Sequence, residues 1–294
     1  MPIKLVPYIF AFLPFATACQ GQNMEATFNK YWLEGKAELT GYELQQARYG
    51  KMHAGQAVLI FVSEDFSRSK QVKLDNPSKN PSDAVKVMKS HFNKRFTTGV
   101  YDYSLTQSVF TPINRAKLPH TMKVTTSVQD WCGHTFTQIN LQTYKYRLQQ
   151  FSYFESEADQ ESIVDKVFLE DEIFNIVRID PTALPVGSIS ILPSSLISRL
   201  LHQSQRILEA EASLAPHATQ AAWQTYTLEY KELNRTFKVH FQAAFPYIIE
   251  GWEETYPEGG QIQTTTAKRK KTTQMEYWKN HNPEDGALRK ELGF

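Results

Sequence analysis

The residues best suited to chemistry are Cys132 and His134, in the sequence Trp131-Cys132-Gly133-His134. If this segment is a strand, the two side chains point to the same face, because strand residues alternate. A thiol beside an imidazole can become a reactive thiolate, which makes the pair a weak catalytic candidate. The simpler interpretation is a core strand, in which Cys132 packs as a small apolar side chain and Gly133 marks a bulge. The sequence offers no third group to orient the pair, so packing is favoured.

The acidic run Glu170-Asp171-Glu172, with Asp165 nearby, could form paired carboxylates or a hard-metal site. It lies in a segment with helical spacing, and consecutive helix residues point in different directions around the axis. We therefore expect a solvated helix face. The histidines are scattered and lack the paired spacing of a zinc site. The sequence thus predicts no metal, no cofactor and no complete catalytic motif.

Charge is nearly balanced, with 32 Lys and Arg against 31 Asp and Glu. This balance argues against nucleic acid as a partner, because nucleic-acid binding needs an excess of positive charge. One short basic run, residues 268–271, could meet anionic lipid headgroups. The simpler interpretation is an exposed edge strand whose lysines prevent aggregation.

Aromatic side chains are dense in the central part of the sequence. In an open β-barrel they can line a concave apolar pocket for a ligand. Ordinary core and cross-strand packing is the plainer alternative. The candidate pocket residues are Tyr101, Tyr103, Trp131, Tyr144, Tyr146 and Tyr153.

The first residues have the features of a bacterial export signal. One cation, Lys4, precedes an apolar run at residues 5–15 that is too short to span a bilayer as a helix. The following Ala16-Thr17-Ala18-Cys19 resembles a lipobox, in which the cysteine is lipidated and starts the mature chain; Ala16 stands where Leu is usual. We therefore predict a signal peptide over residues 1–18.

Lipidation at Cys19 would make the membrane a partner of the protein, because each buried CH₂ contributes about 0.8 kcal/mol and such a cysteine carries two or three chains. We expect a flexible, lipidated tether over residues 19–36 and a location in the bacterial cell envelope, at the outer membrane facing the periplasm. The alternatives are an ordinary secretory signal, or a Cys19–Cys132 disulfide in an uncleaved or differently cleaved chain.

Hydrophobic alternation dominates residues 37–294 and predicts a single β-rich domain with eleven to thirteen strands. Residues 160–177 break the alternation. Their apolar residues follow helical spacing, so we predict the one long helix there, stopped by Pro181 and Pro185. The expected fold is mainly β, a large curved antiparallel sheet or open barrel with one main helix packed on it.

Several short segments spread along the chain carry a resemblance to known proteins. They are Ala47-Arg48-Tyr49-Gly50, residues 57–62, Gln71-Val72-Lys73, Trp131-Cys132-Gly133-His134, Tyr153-Phe154-Glu155, Leu169-Glu170-Asp171-Glu172, Tyr277-Trp278 and residues 288–293. Together they resemble a group of exported bacterial lipoproteins of unknown function, often labelled septum formation inhibitor Maf. True Maf proteins are cytoplasmic nucleotide pyrophosphatases with a Ser-x-Ser-x-Arg-Arg motif, which this sequence lacks. The resemblance therefore implies an envelope lipoprotein and no particular activity.

Three functions follow as expectations. The favoured one is a non-catalytic binding or carrier module for an apolar or lipid-like ligand, by analogy with half-barrel lipid carriers. The second is an accessory or scaffold lipoprotein that docks on a protein partner of the envelope. The third is a thiol-dependent enzyme using Cys132 and His134. A carrier predicts a cavity of about several hundred Å³ lined by the central aromatics.

Overall fold

A computed structural model describes residues 16–293. The chain forms two compact units, the first ending at Glu34 and the second beginning at Gly35. Residues 1–15, which hold most of the predicted signal peptide, lie outside the described residues.

The described part of the first unit is dominated by one helix, α1, over Ala16–Trp32. The sequence instead predicts a flexible tether from residue 19 onwards. Met24, Glu25 and Ala26 are good helix formers, and no proline interrupts the segment, which accounts for the difference. The predicted lipidation at Cys19 concerns a side chain outside those that the structure describes.

The second unit is built on a single sheet of fifteen strands. Its strands are β1 (Ala37–Arg48), β2 (Lys51–Ser67), β3 (Ala84–Thr98), β4 (Tyr101–Pro112), β5 (Lys123–Gln129), β6 (His134–Leu141), β7 (Lys145–Ser152), β8 (Gln160–Asp165), β9 (Phe168–Leu169), β10 (Gly187–Leu192), β11 (Leu208–Pro216), β12 (Trp223–Tyr230), β13 (Arg235–Gln242), β14 (Ile249–Glu258) and β15 (Gln261–Met275). Its helices are α2 (Ile173–Ile179), α3 (Ser195–Leu200) and α4 (Gly286–Glu291). The predicted mainly-β fold with one large, open sheet is confirmed, with more strands than expected, and every ladder is antiparallel except that between β9 and β10.

The strands follow the chain in two meanders that meet in the middle of the sheet. β1 to β8 run outwards in order, and β9 to β15 return from the other edge, so that β15 pairs with β1. β8 and β9 lie at opposite edges, although only Lys166 and Val167 separate them in the chain. Leu148 of β7 and Leu169 of β9 share one buried apolar cluster. The sheet therefore curves until its edges meet, although no ladder joins β8 to β9 in the described chain.

Helix α2 fills the concave side of the sheet and touches both meanders. The Phe174 ring lies 6.1 Å from that of Phe92 on β3 and 5.5 Å from that of Trp252 on β14, measured between centroids. The Asn175 side-chain amide donates to the Met88 carbonyl at 3.0 Å. Because α2 binds strands from both meanders, it fixes their separation across the interior.

The predicted long helix over residues 160–177 is wrong. Gln160–Asp165 is the edge strand β8, paired with β7, and the regular helix α2 begins only at Ile173. On β8, Glu161 receives a hydrogen bond from Arg147 Nε at 2.9 Å across the strand pair. Pairing of residues 160–165 with β7 outweighed their helical spacing, and only the later residues of the segment form a helix.

The interpretation of residues 268–271 as an edge strand is also wrong. They belong to β15, which lies between β1 and β14 near the middle of the sheet. Arg269 Nε donates to Glu250 of β14 at 2.8 Å, and Lys270 lies 3.6 Å from Glu43 of β1. These cations pair with acids on both neighbouring strands, so their role is cross-strand pairing.

Candidate functional site

The three consecutive acids after β9 are the centre of a buried polar network. They form a short 3-10 turn, and Glu170, Asp171 and Glu172 are only 4%, 6% and 2% exposed. The expectation of a solvated helix face is therefore wrong. The turn projects into the curved sheet, so each carboxylate points in a different direction and reaches different strands.

Glu170 faces the second meander. Arg235 of β13 donates Nη1 to Glu170 Oε2 at 2.7 Å, and the Tyr230 hydroxyl donates to the same oxygen at 2.5 Å. Arg235 Nε also donates to Glu254 of β14 at 2.9 Å. Burial alone would lower the pKa of Arg235, but the two carboxylates hold it well above its ordinary value. Arg235 therefore stays charged between two acids.

Asp171 faces the first meander and α3. Its Oδ1 accepts a hydrogen bond from Gln107 Nε2 of β4 at 2.9 Å, and its Oδ2 accepts one from the Ser195 hydroxyl at 3.0 Å. Burial raises the pKa of Asp171 to about 6, and the neighbouring Glu170 adds to the increase. Asp171 thus holds a proton more readily than an exposed aspartate.

Glu172 reaches the segment between β4 and β5. The Thr121 hydroxyl donates to Glu172 Oε2 at 2.5 Å, and Arg115 Nη1 lies 3.4 Å from the same oxygen. Burial raises the pKa of Glu172, while Arg115 opposes the increase. The three acids together therefore tie one turn to strands or connections on both halves of the sheet.

Lys94 of β3 completes the interior network. Its Nζ donates to Gln46 Oε1 of β1 at 2.9 Å, and Gln46 donates in turn to the Tyr256 hydroxyl at 3.0 Å. Burial lowers the pKa of Lys94, although Glu254 opposes the decrease. These contacts of a buried lysine indicate that the interior is a network of paired polar groups and not an open binding site.

Among the described residues, the interior cavity leaves little room for a ligand. A cavity of about 50 Å³ lies among Lys94, Glu170, Asp171 and the aromatic rings of α2 and β14. A single water needs roughly 10–15 Å³ measured in this way, so this cavity suits a few waters. It is much smaller than the volume expected of a carrier.

The structure places Trp131-Cys132-Gly133 in the β5–β6 connection and not in a strand; only His134 begins β6. Cys132 is exposed, and its backbone N–H donates to Asp130 Oδ1 at 2.7 Å. His134 Nε2 lies 3.0 Å from Ser127 Oγ. A methyl group on Gly133 would meet the Tyr153 ring at 2.6 Å, so this glycine permits a close ring contact instead of forming a strand bulge.

The six predicted pocket aromatics lie in separate places. Tyr103 is buried, with its ring 4.7 Å from that of Phe96, and Tyr101 lies beside it at 5.7 Å. Tyr146 is buried in another cluster, where its hydroxyl donates to the Thr121 carbonyl at 3.0 Å. The other three, Trp131, Tyr144 and Tyr153, are 69%, 81% and 71% exposed. The six side chains do not converge on one cavity.

A feature that the sequence analysis did not identify lies on the outer face of the sheet. Val58 and Ile60 of β2 point away from the interior, whereas Leu59 and Phe61 are almost fully buried inside. The chain after β15 returns over this outer face, and Leu292 beyond α4 joins Ile60 in one apolar cluster. An ion pair of 3.3 Å between Glu291 and Lys271 holds α4 to β15.

Between this segment and the sheet lies an open groove of about 380 Å³, which we call the C-terminal groove. One part is polar: Arg95 and Asn93 of β3 stand opposite Gln56 and Val58 of β2. The apolar and aromatic lining residues are Leu39, Val58, Ile60, Met275, Tyr277, Leu288 and Leu292. The run of apolar residues at 57–62, without polar alternation, was the available signal that both faces of β2 are covered.

No protein-family model matches the chain, and no significant match was found among curated proteins or solved structures. The resemblance to exported lipoproteins therefore stays a prediction. Residues 16–293 hold no group of three or more His, Cys, Asp or Glu placed to bind a metal ion. No helix in that range combines the length and apolar character needed to cross a bilayer.

Proposed function

We propose that the protein is a non-catalytic binding or carrier protein for a single-chain, lipid-like amphiphile, held at the bacterial envelope by lipid on Cys19. The C-terminal groove is the observation that supports this proposal. Its volume of about 380 Å³ falls near the lower end of the range for small-molecule sites. That volume favours one acyl chain over a lipid with several chains.

The apolar part of the groove supplies the driving force for binding. Leu39, Ile60, Leu288 and Leu292 come from two strands and the C-terminal segment, and they present aliphatic surface to the space between them. Each methylene that leaves water for such a surface contributes about 0.8 kcal/mol. An alkyl chain is therefore the ligand part that this lining recognises best.

The polar part of the groove selects the head of the ligand. Arg95 is exposed on the outer face of β3, directly opposite Gln56 in the strand register. A guanidinium forms two parallel hydrogen bonds with a carboxylate or phosphate. Asp285 also lines the groove, but its Oδ2 accepts a hydrogen bond from the Asn282 backbone at 2.9 Å. The chemistry fits an anionic head on an alkyl chain.

Native mass spectrometry of the detergent-extracted full-length protein tests this proposal. We expect a mass that includes acyl chains on Cys19, with a non-covalent amphiphile that dissociates at higher collision energy. The variant Cys19→Ser should lose the covalent acyl mass and keep the non-covalent ligand. A wild-type protein without acyl mass refutes the anchor, and one that binds no added long-chain fatty acid refutes the carrier.

A second candidate is an accessory protein that docks on a protein partner. Trp131, Phe151 and Tyr153 are exposed, and Tyr153 packs on Gly133, two residues after Trp131 in the chain. Exposed aromatic patches of this kind often mark interfaces. A photo-crosslinking residue at position 131 should capture one partner in cells, whereas the same residue at exposed Ile262 should not; equal capture at both positions refutes docking through this patch.

A further inference from the structure

A cleft of about 730 Å³ opens at the end of the sheet where β2, β4 and β6 finish. Its walls come from the β2–β3 loop, the segment between β4 and β5, the β6–β7 turn and the residue after β8. Three cations line it, namely Arg68, Lys145 and Lys166, and its described lining includes no carboxylate. We call this feature the basic cleft.

Few of these charges are neutralised by acids. Lys145 forms an exposed ion pair with Asp165, whereas Lys166 donates to the Thr143 carbonyl, an uncharged group. Arg68 is exposed, and no ion pair involves it within residues 16–293. At least two of the three lining cations thus face the cleft without an acidic partner.

His120, which also lines the basic cleft, lies near two cationic side chains. Burial lowers the pKa of His120, and the charges of Lys166 and Arg115 lower it further. Lys166 and Arg115 therefore both disfavour a proton on His120. The cleft is therefore suited to negative charge even though the net charge of the chain is only +1.

The rim of the cleft has the amphipathic character of a membrane-contacting surface. Tyr144 stands at the tip of the β6–β7 turn and is 81% exposed. Pro119 is exposed nearby and Leu118 is half-buried. A tyrosine with an apolar ring and a polar hydroxyl is well placed at the level of lipid headgroups.

The chain enters the sheet at this same end. β1 starts at Ala37 and runs antiparallel to β2, whose last residue, Ser67, directly precedes Arg68. The first residue of the first strand therefore lies on the side of the basic cleft. The turns at Lys51 and Lys231 lie at the opposite end of the sheet.

We propose that the basic cleft docks on anionic lipid headgroups of the membrane that carries the anchor and so orients the domain. This inference rests on the proposed lipidation of Cys19 but not on any ligand in the C-terminal groove. Lysines and arginines near an anionic bilayer are attracted within a Debye length of its surface. The proposed occupant is the membrane surface. A site for a soluble anion such as free phosphate would instead be filled without any bilayer.

Lysine acylation by a water-soluble reagent tests the orientation. The lipidated full-length protein is placed in nanodiscs of phosphatidylcholine, with or without phosphatidylglycerol, and modified peptides are quantified by mass spectrometry. At low salt we expect Lys145 of the cleft and Lys117, exposed directly before the lining residue Leu118, to react roughly fivefold more slowly on anionic discs, with the difference lost at high salt. Lys51 and Lys231 should react equally on both discs.

The double variant Arg68→Glu, Lys166→Glu should abolish the protection, whereas the matched variant Lys51→Glu, Lys231→Glu should retain it. Equal reactivity of Lys117 and Lys145 on the two discs, with acyl mass present on Cys19, refutes the docking while leaving the anchor intact. Protection produced by inorganic phosphate on neutral discs also refutes it, in favour of a soluble anion. Absence of acyl mass refutes the anchor instead.

Discussion

Arg235 and Glu170 form a two-point ion pair inside the sheet, with Nη1 to Oε2 at 2.7 Å and Nη2 to Oε1 at 2.5 Å. Arg235 is 2% exposed, and Glu170 belongs to the turn that crosses the interior. The pair joins β13 of the second meander to the turn that follows β9. A buried pair of this kind is costly to break, because the remaining charge stays buried without its partner.

We predict that Glu170→Ala destabilises the protein by about 3–5 kcal/mol, since Arg235 then keeps only Glu254 as a counter-charge. Urea unfolding followed by tryptophan fluorescence measures the effect. The matched control is Glu232→Ala, which removes a solvent-exposed pair with Arg206 and should change stability little. Equal effects of the two variants would show that the interior pair has no special role.

We predict that Asp171 makes stability fall as the pH rises from about 4 to about 6. The folded pKa of Asp171 is about 6, against an ordinary value of 3.8, so the folded state binds the proton more tightly in this window. The contribution is fully present below pH 4 and lost above pH 6, and amounts to at most about 3 kcal/mol.

The variant Asp171→Asn should therefore flatten the decline in unfolding free energy between those pH values. Glu172 has a raised pKa for the same reason, so part of the slope should remain. Denaturant titrations at a series of pH values provide the measurement. A variant with the same pH profile as wild type would contradict the role given to Asp171.

We predict that Ile60→Trp blocks the C-terminal groove and weakens fatty-acid binding at least about tenfold, because the indole would occupy the space of the alkyl chain. Displacement of a fluorescent fatty acid reports the affinity. Ile262→Trp, at an exposed position of β15, serves as the control and should bind normally. Normal binding by a folded Ile60→Trp protein would place the ligand elsewhere.

We predict that Arg95→Gln weakens binding of a long-chain fatty acid about tenfold but leaves the corresponding fatty alcohol unaffected. A hydrogen bond to a charged group contributes about 1.5–3 kcal/mol, whereas an alcohol offers no charge to the guanidinium. The same displacement assay compares both ligands. If both lose affinity equally, Arg95 acts through the shape of the groove and not through charge.

We predict that Cys132 reacts readily with a maleimide in the native protein, since it is exposed in a connection. Cys132→Ser should leave stability and fatty-acid binding unchanged. This outcome separates the carrier from the thiol-dependent enzyme, the third candidate. Loss of ligand binding after alkylation, or a thioester intermediate trapped on Cys132, would favour the enzyme.

The strands were predictable because their periodicity is local. Residues of alternating character form β3 over Ala84–Thr98 and β4 over Tyr101–Pro112, within the region where strands were predicted. Successive side chains of a strand point to opposite faces, so the pattern is visible in a short stretch of sequence. The helix predicted over residues 160–177 was wrong because short acidic and apolar runs fit both the helical and the strand period. Pairing with β7 makes residues 160–165 a strand.

The site was less predictable because burial of a polar group is decided by distant residues. The spacing of the three consecutive acids does not reveal their partners. In the structure Glu170 contacts Arg235, Asp171 contacts Gln107, and Glu172 contacts Thr121. By contrast, the outer apolar face of β2 was detectable from residues 57–62 alone. What the sequence could not show was the segment that covers that face.

The pairing of Ala37 with Met275 has a consequence for how this chain is made. Strand β1 is synthesised before β15, the last strand of the described residues, so one of its two hydrogen-bonding edges has no partner until β15 emerges. Throughout biosynthesis and any passage across a membrane, that bare edge remains open to pairing with other chains. Factors that bind the nascent polypeptide would have to cover this unpaired edge of β1.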